Sequence, residues 1–134
     1  MVAIIDSYSE SNKSSLDSVE QAGVGDRTQV GQSFSVPAYN CLLDSAKFYL
    51  HNVGSMTGTI RAKVYAHSGT YGTSSIPTGS ALATSDTVNI STITSSFTLI
   101  TFSFTGANQI SLSASTNYCI LIECPTGNGD NSTK

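Results

Sequence analysis

Two histidines, nine acids and three cysteines make up the reactive inventory of this 134-residue chain. A hydrolase built from it needs an acid and a base, or a nucleophile beside its activating base, held at reacting distance. His51 and His67 each fall at the end of a strand-like stretch, among polar residues. Ser and Thr fill about 29% of the chain, so a hydroxyl near either imidazole is expected by chance and carries no signal. No G-x-S-x-G nucleophile elbow occurs. The inventory points away from an enzyme, and no catalytic residue is expected.

Metal chemistry fares no better. Calcium asks for several oxygens from clustered acids and carbonyls, but the acids are spread singly from Asp6 to Asp130, with no D-x-[DN]-x-[DN]-G loop. Asp130 with Asn128 and Asn131 comes nearest and has the composition of a solvated turn. Cys41, Cys119 and Cys124 form no C-x-x-C pair and have no nearby His, so neither a zinc knuckle nor any cofactor is expected. Cys119 and Cys124 are an odd number of positions apart, which in one unbroken strand sends their side chains to opposite faces. Buried thiols are the expectation; spacing leaves a Cys41 to Cys119 bridge open.

Binding chemistry is better provided for. Sugar recognition requires exposed aromatic faces ringed by amides and hydroxyls. Tyr65 and Tyr49, on the wet parity of their strands, and His67 and Tyr71, around a long loop, are the residues that would supply it. The same tyrosines would equally serve to brace that loop, and the absence of Trp removes the strongest stacking platform. The sequons at Asn12, Asn89 and Asn131 are what chance gives in a chain so rich in hydroxyls.

Charge narrows the partners. Only 11% of residues are charged, the net charge is -3, and no basic run exists to neutralise successive phosphates, which argues against nucleic acid. No window approaches the ~18 consecutive apolar residues of a membrane-spanning helix, and residues 1–9 lack the basic start and apolar stretch of a signal peptide. Membrane insertion is not expected.

The elements that must position these residues are strands. Period-two alternation is clearest over residues 59–66, where Ile60, Ala62, Val64 and Ala66 share one face and Arg61, Lys63 and Tyr65 the other. Residues 42–50 put Leu42, Ala46, Phe48 and Leu50 on one parity, and residues 29–36 join Val30, Phe34 and Val36. Residues 97–104 align Ile100, Phe102 and Phe104, and residues 117–124 align Tyr118, Ile120 and Ile122 with Glu123 outward. Shorter strands are expected at 3–8, 87–90 and 109–112, and no stretch carries a convincing helical period. Residues 9–25 and 67–79 are the two long loops, the second marked by Gly69, Gly72, Pro77 and Gly79. About eight antiparallel strands parted by Gly, Ser, Asn and Pro turns predict one all-β domain over 1–134, a β-sandwich of jelly-roll type.

The order of segments also carries a resemblance. Ile5-Asp6-Ser7-Tyr8-Ser9-Glu10-Ser11-Asn12, then Val30-Gly31-Gln32-Ser33-Phe34, then Leu43-Asp44-Ser45-Ala46-Lys47-Phe48-Tyr49-Leu50 open it. Tyr65-Ala66-His67-Ser68-Gly69-Thr70-Tyr71-Gly72-Thr73, Pro77-Thr78-Gly79 and Ala81-Leu82-Ala83-Thr84-Ser85-Asp86 continue it. The pattern spans nearly the whole chain and resembles an uncharacterised jelly-roll or β-sandwich family of environmental phage and bacterial surface proteins. That family offers no established activity to transfer, so the resemblance implies fold and setting. It also implies closing strands beyond residues 117–124, of which 126–134 would be only the glycine-rich beginning. The closing strands are expected first of all from further chain beyond residue 134. Otherwise a sandwich short of a strand exposes unpaired backbone that another chain can complete, with residues 1–10 as the natural exchangeable strand.

Together these expectations describe a non-catalytic structural or attachment module of an extracellular assembly, first of all a phage virion protein such as a decoration, tail or fibre component. Its partners would be other protein chains of the assembly, reached in part by strand donation, and its place the virion or an extracellular surface. The alternative is a carbohydrate-binding module of a secreted or cell-surface protein, with a surface glycan as ligand.

Overall fold

The alternation predicted for residues 59–66 is realised in the longest strands of a computed structural model, which describes residues 4–7, 19, 28–54 and 56–127. Among the described residues nine strands follow one another: β1 (Gln29–Ser35), β2 (Cys41–Leu42), β3 (Ser45–Leu50), β4 (Gly58–Ser68), β5 (Ile76–Thr84), β6 (Val88–Asn89), β7 (Thr98–Ser103), β8 (Ser111–Leu112) and β9 (Asn117–Gly127). The 3-10 turns Ile90–Thr92 and Gly106–Asn108 accompany them, and among the described residues no helix is long and apolar enough to cross a membrane. Every pairing is antiparallel, so the chain is all-β.

β1, β9, β4 and β5 lie side by side in that order, with β6 also pairing β4; β2 pairs β8 and β3 pairs β7. Ile60, Ala62 and Val64 of β4 and Tyr118, Ile120 and Ile122 of β9 turn inward from the larger sheet. They meet Leu43, Phe102, Phe104 and Leu112 from the smaller pairs in one apolar cluster, the filling of a β-sandwich. Phe48 and Phe102 meet edge to face at 6.0 Å, while Phe34 stacks on Tyr118 at 5.8 Å, contacts that add about 0.5–1.5 kcal/mol each beyond area burial. The Tyr118 hydroxyl stays satisfied by accepting the Ser113 N–H at 3.1 Å.

Several expectations shift. Residues 42–50 form two strands because the chain changes partner at Leu43 and Asp44: Leu43 N–H still donates to Ile110 across β2–β8, and Asp44 C=O already accepts from Phe104 across β3–β7. The break flips the parity, so Leu43 is buried and Leu42 is 60% exposed. The predicted 67–79 loop is shorter than expected, because β4 runs on to Ser68 and β5 begins at Ile76. The β5 backbone pairs, but six of its nine residues are exposed, and Pro77 and Gly79 interrupt the pattern that alternation reads. β9 continues past Cys124 to Gly127 through a bulge at Cys124 and Pro125, where the proline's missing N–H interrupts no ladder, so 126 and 127 belong to the sheet. Of the strand expected over 3–8, residues 4–7 carry no strand; Ile5 packs on the core and Ile4 lies exposed. The rest of that segment, the loop at 9–25 apart from Val19, and residues 128–134 lie outside the described residues.

Candidate functional site

Register assigns the outward face of the larger sheet. Gln29 of β1, Glu123 of β9 and Arg61 of β4 stand in one row, and Ser33, Cys119 and Tyr65 in another. Glu123 sits on the strand between its partners and accepts from Arg61 Nε at 2.5 Å, Lys63 Nζ at 2.7 Å and Gln29 Nε2 at 2.8 Å. Burial pushes its carboxyl up, but the hydrogen bonds from Lys63, Gln29 and Arg61 and the Lys63 charge outweigh it and hold the group below the ordinary carboxylate value. A carboxylate so saturated stays ionised near neutrality and works as a clamp across three strands, unsuited to proton transfer.

Cys119 and Cys124 lie on opposite faces of β9. Cys124 joins the core cluster, whereas Cys119 is buried on the outward face beside Ser33 and Tyr65, and burial pushes its thiol up. A thiol so placed is a poor nucleophile. Cys41 and Cys119 are both free, so no bridge joins them.

The hairpin between β4 and β5 carries two of the predicted binding residues. Its tip, residues 69–75, is laced by its own hydroxyls and backbone: Ser74 Oγ accepts Thr70 N–H at 3.1 Å, Ser75 Oγ accepts Gly72 N–H at 3.2 Å, and Thr70 C=O accepts the Ser74 backbone N–H at 2.9 Å. His67 Nε2 lies 2.9 Å from Ser75 Oγ and anchors the tip to the sheet. Gly69 permits the close turn, since at φ +79° an added Cβ would sit 2.1 Å from Ser74 C=O. Tyr71 rises from this frame, its ring centroid 5.9 Å from that of His67 and its side chain partly exposed. Between the tip and β1 opens a cleft of about 480 Å3, lined by Asp6, Gln32, Ser33, Tyr71, Gly72, Thr73 and Ser75. Asp6, Gln32 and Ser33 were not foreseen as a group; nothing in the sequence brings residue 6 beside a loop near residue 72.

Tyr49 is elsewhere. It belongs to β3, faces away from the core and pairs across the strands with Leu99; the two are 45% and 44% exposed. One step further His51 and Phe97 approach to 4.2 Å between ring centroids. Tyr49 and Tyr65 therefore occupy opposite outer faces of the sandwich and share no sheet surface, because each strand spends its other parity on the core. Leu99 and Phe97 were hidden in the sequence by the stronger alternation of Ile100, Phe102 and Phe104, which occupies the other parity of β7.

Among the described residues no group of three or more His, Cys, Asp or Glu is placed to hold a metal ion. The chain matches no protein-family model, no curated protein and no solved structure with which it was compared.

Proposed function

We propose that the domain is a non-catalytic structural or attachment module of an extracellular assembly, a phage virion component of the decoration, tail or fibre kind. The observation that carries this reading is the outer face of β3 and β7, where Tyr49 and Leu99 pair in the open beside the His51–Phe97 contact. An exposed aromatic and aliphatic row on the outer face of a strand pair offers a contact surface to another protein. Repeated components of a shell or fibre meet copies of themselves, so the face is assigned to a second copy of this chain. The margin of β1, which pairs only β9 among the described residues, offers a second contact by strand addition. The resemblance to phage and bacterial surface sandwiches supports the setting.

Sedimentation velocity over a concentration series tests the assignment. Association with increasing concentration, abolished in Leu99→Glu and retained in Leu82→Glu, is the expected result; Leu82 is equally exposed but lies on β5. A monomer at every concentration, or equal association of both variants, overturns it. Chromatography of a form lacking residues 1–8 tests strand donation, which an unchanged oligomeric state rules out.

The second role, a carbohydrate-binding module, is favoured by the cleft at the β4–β5 hairpin. Specific glycan-array binding lost in Tyr71→Ala supports it, and an array without binding removes it.

A further inference from the structure

The cleft between β1 and the β4–β5 hairpin differs from the rest of the surface in what lines it. It gathers a carboxylate (Asp6), a carboxamide (Gln32), the hydroxyls of Ser33, Thr73 and Ser75, and one aromatic ring (Tyr71). Among the described residues neither Lys nor Arg lines it, and Arg61 and Lys63 on the outward sheet face are both turned to Glu123. A phosphate, sulfate or carboxylate ligand would meet the Asp6 charge there, with no cation among the described lining residues to offset it.

We propose, resting on the carbohydrate-binding role above, that this cleft is a subsite for a neutral pyranose sugar, with Tyr71 against the apolar face of the ring and Asp6 and Gln32 on its hydroxyls. The chemistry fits in three respects. A carboxylate presents two acceptor oxygens side by side, matching a pair of adjacent ring hydroxyls that both donate, while the Gln32 amide can donate and accept at a third. The C–H face of a pyranose is apolar, and a partly exposed tyrosine ring offers it a complementary surface. The volume of about 480 Å3 takes one or two sugar rings in a site open to solvent, which leaves room for the rest of a chain.

The hairpin is also built to present the ring. Tyr71 stands on a tip whose backbone is fixed by the Thr70–Ser74 and Gly72–Ser75 bonds and tied to β4 by His67 and Ser75. A loop already held in one conformation loses less freedom when a ligand arrives, which matters for sugars because each contact is weak. Gln32 and Ser33 are consecutive on β1, which pairs only β9 among the described residues, so the cleft lies over that strand's other margin, and Asp6 approaches from the segment before it.

Chemical-shift titration of the isotope-labelled chain with methyl glycosides of glucose, galactose and mannose, against methyl glucuronide and N-acetylneuraminic acid, tests the proposal. Saturable shifts with a neutral glycoside, centred on residues 71–75 and 32–33, are expected. Asp6→Asn and Tyr71→Ala should each weaken the binding by about tenfold or more, with Thr105→Ala, an exposed site away from the cleft lining, unchanged. Asp6 and Tyr71 are exposed, so neither substitution threatens the fold, and unperturbed core resonances would verify that. Binding confined to the anionic sugars, or neutral binding indifferent to Asp6→Asn, overturns the proposal and leaves the carbohydrate-binding role standing. No shift with any sugar overturns both.

Discussion

The Ser85 hydroxyl accepts the backbone N–H of Ala62 at 2.9 Å and donates to the Asp86 carbonyl at 2.8 Å, while Ser85 N–H donates back to Ala62 C=O. This exchange stands where β4 changes neighbour, from Thr84 and Ala83 of β5 to Val88 and Asn89 of β6. A side chain here replaces the missing carbonyl of the ladder, which explains a buried serine in an apolar layer. Ser85→Ala leaves the Ala62 N–H buried and unmatched and should cost about 1–3 kcal/mol in denaturant unfolding. Thr105→Ala, which removes an exposed hydroxyl contact to Asp86, should stay within ~0.5 kcal/mol. Equal losses for the two would refute the role given to Ser85.

Glu123 makes acid stability predictable in sign. Its carboxyl is held below the ordinary value of 4.5 in the folded chain, so the unfolded chain binds its proton first as pH falls. The stabilisation is complete above that ordinary value and is lost as pH drops through the lower folded value. Unfolding midpoints measured from neutrality downward should therefore fall more steeply in the native protein than in Glu123→Gln. Parallel curves would mean that the clamp contributes nothing to the acid limb.

Gly31 faces Leu121 across β1 and β9, and a Cβ there would stand 1.9 Å from the Ile120 carbonyl oxygen. Main chain cannot yield as a flexible side chain would, so Gly31→Ala should separate the two strands locally and cost at least ~2 kcal/mol. Hydrogen exchange should accelerate through 29–35 while the amides of β4 that face β5 keep their protection. Uniform acceleration would place the damage in the whole sheet.

Thiol labelling should divide the cysteines by environment. Cys41 is half-buried with its Sγ near the Tyr39 carbonyl, whereas Cys119 is 3% exposed with its thiol pushed up by burial. A water-soluble disulfide reagent should modify Cys41 in the native state and Cys119 only as the sheet opens. Rapid labelling of Cys119 without denaturant would contradict its placement beneath the outward face.

Legibility in the sequence followed how strongly one face of each strand is buried. β4, β7 and β9 cross the centre of the sandwich, and their alternating Ile, Val, Phe and Tyr residues announce both strand and facing. β5 buries a single residue, Ala83, and pairs through its backbone, a property that side-chain patterning does not encode. The partner change at Leu43 and Asp44 was invisible for a related reason: it depends on which strands arrive from residues 98–112. At the sites, His67 and Tyr71 were adjacent enough in the chain to be paired in advance. Asp6 and Gln32 needed the tertiary fold, and Tyr49 found its companions on a face that the sequence had marked as wet.

The lopsided register of the β4–β5 hairpin has a consequence for how such a protein changes over time. Tyr65 alone separates Val64 from Ala66, yet Gly79 to Leu82 intervene between the residues that pair with them, and almost nothing in β5 is committed to the interior. Substitutions or short insertions around 70–82 would thus alter what the molecule displays while leaving the interior sequence unconstrained by them. Lineages that do not use the Tyr71 cleft would be free to diversify this hairpin, and a foreign peptide grafted into β5 would ride on an undisturbed scaffold.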